Sequence, residues 1–139
     1  MRYEFLEHTA DAKFRAYGST LEEAFGNAAL AMTAVMTDVK KVAVKRTLNI
    51  AATGEDLKSL LYDFLEEFIV AVNTEHFLLS KFGKIKIKKT SSGYDITAAA
   101  AGDDLHLYET HDDVKAVTYH DMEIHEAKGN CWVQVVVDI

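Results

Sequence analysis

Two stretches of this chain carry apolar residues at helical spacing, and nearly everything around them alternates apolar and polar residues in short runs. In the first, Ser19-Thr20-Leu21-Glu22 has the spacing of a capping box, which predicts a helix starting at Ser19 and running to about Thr37. Leu21, Ala24, Phe25, Ala28, Met32, Val35 and Met36 then recur on one face, as a helix packed on a core requires. In the second, Leu57, Leu60, Leu61, Phe64, Leu65, Phe68, Ile69 and Val72 make a broad apolar face, predicting a helix over Glu55–Asn73. A helical period of 3.6 does not fit a strand, so the chain must combine the two kinds of element.

The remaining segments read as strands. Tyr3–His8 and Ala12–Tyr17 alternate, with His8-Thr9-Ala10-Asp11 joining them. Val42, Val44, Leu48 and Ile50 read as strand ending at Thr53-Gly54, and His76–Leu79 as a short one. Lys84–Lys89 alternates lysines with Ile85 and Ile87, the pattern of an edge strand guarded by charge. Tyr94–Ala101, Val114–Ile124 and Cys131–Ile139 complete the set, with a hairpin turn at Lys128-Gly129-Asn130. Val135-Val136-Val137 is the run of a strand covered on both faces, hence central in its sheet. The expected fold class is α+β, one domain over residues 1–139, with two amphipathic helices packed on a largely antiparallel sheet.

Composition narrows the function classes. At 139 residues a chain buries roughly two-thirds of its unfolded surface, enough to fold without staples. A lone Cys131 precludes an internal disulfide framework and fits a reducing, cytoplasmic setting. The start, Met1-Arg2-Tyr3-Glu4, leads into no signal-like apolar stretch, and no apolar run approaches a membrane span. Net charge is −7, the wrong sign for tight, direct nucleic-acid binding, which rests on neutralising many phosphates.

No HExxH, zinc-finger, Walker, GxGxxG or GxSxG pattern occurs, which argues against a stand-alone enzyme. Cys131, before Trp132, reads as a strand residue. The acidic residues say more. Asp11 lies at a strand junction, Asp138 closes the last strand, and the carboxylate of Ile139 follows it. If the first and last strands lie close, three carboxylates converge, and like charges that close need a cation or a shifted pKa. Ligation by oxygen alone selects a hard ion such as Ca²⁺, Mg²⁺ or Mn²⁺. Aspartate at strand ends is also commonplace, so spacing leaves both readings open.

His8-Thr9-Ala10-Asp11, Val114-Lys115-Ala116-Val117-Thr118-Tyr119-His120 and the closing Asp138-Ile139 together resemble the archease family. Gly18 with the Leu21–Phe25 helix start, Gly54 with Leu60-Leu61, and Gly102-Asp103 also match, so the resemblance covers essentially the whole chain in order. Asp103 departs from the glutamate more usual after that glycine. The resemblance implies a strand–helix–strand–strand module with inserted elements. It also implies activation of the RtcB-type RNA ligase of tRNA splicing, whose metal-dependent guanylylation and multiple turnover archeases promote. Carried over residue by residue, the metal ligands are Asp11, Asp138 and the terminal carboxylate of Ile139, with Lys115 contacting a phosphate or the partner. His8, Thr118 and His120 are expected around that site as orienting or hydrogen-bonding residues. Two rival classes stand beside this one. The first is a metal-dependent phosphoester hydrolase, for which no general base is evident. The second is a chaperone-like modulator of an RNA-modifying enzyme such as an RNA methyltransferase.

Overall fold

The computed structural model describes residues 1–8 and 10–139; Thr9, within the His8–Asp11 junction, lies outside the described residues. Strands β1 (Tyr3–Leu6) and β2 (Ala12–Gly18) lead into helix α1 (Leu21–Met36). Strand β3 (Arg46–Gly54), helix α2 (Leu57–Glu75), β4 (Phe77–Thr90) and β5 (Gly93–Asp104) follow, then β6 (Ala116–His125) and β7 (Cys131–Asp138). Every pairing is antiparallel. The expected single sheet is in fact two, one ordered β1-β2-β7-β6 and the other β3-β5-β4. β7 is interior to its sheet and β4 is an edge.

Both helix starts lie two residues after the expected ones. Thr20, not Ser19, caps α1: its hydroxyl accepts from the Glu23 N–H at 3.2 Å, and Glu22 and Glu23 in the first turn complement the helix dipole. Asp56 caps α2 in a reciprocal box with Ser59, so that helix is Leu57–Glu75, not Glu55–Asn73. It ends on His76 in the left-handed region at φ 51°.

The one-sided stripe expected for α1 is incomplete. Gly26, Asn27, Ala29, Leu30, Ala31 and Thr33 are buried as well, because α1 lies between the two sheets. The second contact is made by small residues: a Cβ on Gly26 would sit 2.7 Å from Ile85 Cδ1 of β4. Phe25 of α1, Phe64 and Phe68 of α2 and Phe82 of β4 join these layers through ring contacts of 5.2–6.2 Å between centroids. β3 begins at Arg46, not at Val42: a 3₁₀ turn covers residues 39–41, and the Ala43 N–H goes to the Tyr108 hydroxyl rather than to a strand neighbour. The segments His76–Leu79 and Lys84–Lys89, read as separate, are one strand, β4, with register breaks at Leu79/Lys81 and Phe82/Ile85. Its lysines are exposed and its isoleucines half-buried. No helix among the described residues is long and apolar enough to cross a membrane.

Candidate metal centre

The register of the first sheet assembles the site. β2 pairs β7 with Ala12 opposite Val137, so one further step brings Asp11 level with Asp138. β6 pairs the other side of β7 with Ala116 opposite Asp138, and the Lys115 N–H donates to the Asp138 carbonyl at 2.8 Å. Asp11, Asp138 and Lys115 therefore occupy one end of three adjacent strands. Asp138, Ile139 and Lys115 are exposed and Asp11 is half-buried. Like charges placed level on neighbouring strands repel. That repulsion, in an oxygen-only donor set, is what a hard divalent ion relieves. The backbone register and the chemistry of the donor set are compatible with such an ion.

The expected surrounding residues divide. His8 Nδ1 lies 3.6 Å from Asp11 Oδ2, close enough to hold the junction electrostatically. The Thr118 hydroxyl donates to the Val136 carbonyl at 2.9 Å, which ties β6 to β7 and points away from ligand chemistry. His120 is exposed, and its ring meets that of His8 edge-on at 5.9 Å.

Asp121, Lys13 and Gln134 escaped the sequence reading. Between Thr118, opposite Val136, and Glu123, opposite Gln134, β6 carries extra residues that bulge out of the ladder. Asp121 takes the left-handed conformation there, at φ 52°, which aspartate tolerates better than most residues. Gln134 on β7 is 4% exposed and closes the bulge. Its Nε2 donates to the Asp121 carbonyl and to Glu123 Oε2, each at 2.9 Å, and its Oε1 accepts from Arg15 Nη2 at 2.7 Å. The result is a His/Asp cluster of His8, His120 and Asp121, with one ligand atom from each, all within 4.8 Å of one another. Lys13 Nζ reaches Asp121 Oδ2 at 3.3 Å, and His120 Nε2 reaches the same oxygen at 3.4 Å. Of these three, only Asp121 had a cue, following directly on the Val114–His120 segment.

Asp103, the departure noted above, lies outside both groups. It accepts from the Tyr108 hydroxyl at 2.6 Å and the Asp104 N–H at 2.8 Å, and Tyr108 in turn accepts from the Ala43 N–H. The Tyr108 hydrogen bond foremost, then the Asp104 N–H, hold its carboxyl below the usual range. Its role is to pin the loops beside β3 and β5.

Comparison with known proteins gives a consistent picture. A model described as "Archease protein family (MTH1598/TM1083)" matches residues 3–139. Protein archease of Pyrococcus abyssi is 44% identical over 99% of both chains. That of Methanothermobacter thermautotrophicus is 45% identical over 99% of this chain and 98% of its own. The solution structure of Methanobacterium thermoautotrophicum protein 1598 superposes with a TM-score of 0.84 at 44% identity, covering 99% of each chain. An archease from Thermotoga maritima, described as a possible chaperone, shares the fold at a TM-score of 0.58 and 14% identity, covering 96% of this chain and 94% of its own.

Proposed function

The chain belongs to the archease family, and on that premise we propose that it activates an RtcB-type RNA ligase of tRNA splicing. In this reading it promotes the ligase's metal-dependent guanylylation and multiple turnover while turning over no substrate of its own. The observation that carries the reading is the placement of Asp11, Asp138 and Lys115 at one end of three adjacent strands.

Asp11, Asp138 and the Ile139 carboxylate would hold a divalent ion, Ca²⁺ foremost, with Mn²⁺ or Mg²⁺ as alternatives. Bound there, the ion supplies a fixed positive charge near a partner's phosphate-handling cleft. Lys115 presents a compact ammonium on a flexible stem beside it, suited to a phosphate or a partner carboxylate. Asp138 closes β7, which is paired on both sides, and Asp11 and Lys115 lie just before β2 and β6, so the three backbones are held side by side; positioned charge lowers barriers without reorganisation. Partners in this reading are the ligase and, in a secondary role, an RNA methyltransferase. Neither tight nucleic-acid binding nor membrane association is part of it, and the setting is cytoplasmic.

The test is a guanylylation time course with labelled GTP, with ligase in excess over this protein. Wild type accelerates the reaction. Asp11→Ala and Lys115→Ala each lower the acceleration at least about tenfold, or about 1.4 kcal/mol of barrier, with far-ultraviolet circular dichroism unchanged. No acceleration by wild type at any Mn²⁺ concentration overturns the function. Equal acceleration by both variants overturns the site. Hydrolysis of phosphoester substrates without ligase favours the hydrolase instead.

A further inference from the structure

We propose that His8, His120 and Asp121 form a second metal site of mixed nitrogen and oxygen ligands, suited to a borderline divalent ion such as Zn²⁺ or Co²⁺. It shares no ligand with the all-oxygen group at Asp11, Asp138 and Ile139, although His8 Nδ1 lies 3.6 Å from Asp11 Oδ2.

The first argument is convergence. One ligand comes from the β1–β2 junction and two from the middle of β6, yet their ligand atoms lie within 4.8 Å of one another. Bonds of about 2.0–2.2 Å to a tetrahedral ion leave ligand atoms roughly 3.3–3.6 Å apart. The cluster therefore needs a contraction of about an ångström, which the exposed His120 side chain can supply by rotation. The second is an unused nitrogen. His8 Nδ1 is buried and has no hydrogen-bond partner among the described residues, whereas buried polar atoms are ordinarily paired. Asp11 at 3.6 Å is placed to take up that N–H on a small ring rotation, the carboxylate–histidine arrangement that orients a metal-binding imidazole.

The third argument is conformational. A left-handed Asp121 costs on the order of 1 kcal/mol, and the bulge interrupts the β6–β7 ladder. The buried Gln134 spends both its amide hydrogens on this segment. An accidental surface cluster would not need a segment so firmly held. Lys13, 3.3 Å from Asp121 Oδ2, neutralises the carboxylate and would yield to a divalent ion.

Two imidazoles with one carboxylate favour Zn²⁺, Co²⁺ or Ni²⁺ over Ca²⁺ and Mg²⁺, which take oxygen ligands. Three protein ligands also leave a coordination position for water or a partner's group. The test needs only the untagged protein, so its failure is separate from failure of ligase activation. Co²⁺ titration is followed by visible d–d absorption, with Zn²⁺ competition. The expected result is one equivalent of Co²⁺ with the intense bands of a four- or five-coordinate ion, displaced by Zn²⁺ and unmoved by excess Ca²⁺. His120→Ala and Asp121→Asn each weaken Co²⁺ at least about tenfold, and Asp138→Asn leaves it unchanged. Both substitutions fall on exposed side chains, and asparagine accepts the left-handed conformation, so the fold is kept. Unchanged Co²⁺ affinity in His120→Ala, or displacement of Co²⁺ by Ca²⁺, overturns the site.

Discussion

Gln134→Leu isolates what holds the bulge of β6. The side chain is 4% exposed and makes three hydrogen bonds: to the Asp121 carbonyl, to Glu123 Oε2 and from Arg15 Nη2. Leucine keeps most of the volume and removes all three. The bond with the Arg15 guanidinium is charge-assisted and worth roughly 1.5 kcal/mol; that to the Asp121 carbonyl is worth about 1 kcal/mol. Glu123 is exposed and recovers most of its loss from water, and leucine gains some apolar burial. The net destabilisation is about 2 kcal/mol, or a fall in Tm of roughly 4–8 °C for a chain of this size. Urea melts by circular dichroism measure it. The m-value should hold, because the exposed surface is nearly unchanged. A loss below about 0.5 kcal/mol refutes the assignment of Gln134 as the brace. A loss of 2 kcal/mol with unchanged nuclear magnetic resonance shifts at His120 and Asp121 refutes its link to the cluster.

Other outcomes follow from the same geometry. The Asp103 carboxyl is held below the usual range by the Tyr108 hydroxyl, so its contribution to stability is present above the unfolded value of about 3.9 and is lost as pH falls through the lower folded value. Urea melts between pH 7 and pH 3 should show a shallower acid limb in Tyr108→Phe than in wild type, and an unchanged limb counts against the contact. Gly102→Ala should cost about 3 kcal/mol, because a Cβ there would lie 1.8 Å from the Leu78 carbonyl oxygen; thermal melting decides. Residues added after Ile139 should weaken Ca²⁺ binding by calorimetry, by moving the terminal charge. Equal affinities would remove that carboxylate from the ligand set.

The sequence carried the helices well because their signals are local. Caps sit within three residues of the groups they satisfy, and α2 displays its buried face directly. α1 was only half legible: its further buried residues include Gly26, Ala29 and Ala31, whose small side chains carry little hydropathy, and Gly26 lets Ile85 of β4 approach closely. The division into two sheets was hidden because strand pairing is non-local, and the irregular stretch Ser80–Gly83 disguised one long strand as two. Asp11 and Asp138 were singled out by their place at strand ends and, with Lys115, by family resemblance; their adjacency follows from a register that no periodicity encodes. The Asp121 bulge had no local conformational signal; its one cue was its place directly after the Val114–His120 segment. Its left-handed aspartate is held by Gln134 from another strand, thirteen residues on.

Charge sets how such a surface can meet a partner. The exposed lysines of β4, Lys81, Lys84, Lys86, Lys88 and Lys89, line the edge of the second sheet, where charge discourages edge-to-edge pairing. They are therefore accounted for without a nucleic acid. The candidate ion-binding residues lie on the other sheet, at β2, β6 and β7. With 22 acidic against 15 basic residues, a basic phosphate-handling cleft would be drawn to this molecule at long range, and salt would slow that encounter. Once docked, the acidic strand ends oppose close approach of phosphate unless a cation or Lys115 intervenes. Under the proposed function, the acidic balance would attract the protein partner while the acidic strand ends, without a cation, would repel its substrate. Activation that responds more steeply to divalent ion than docking does would be the signature of that arrangement.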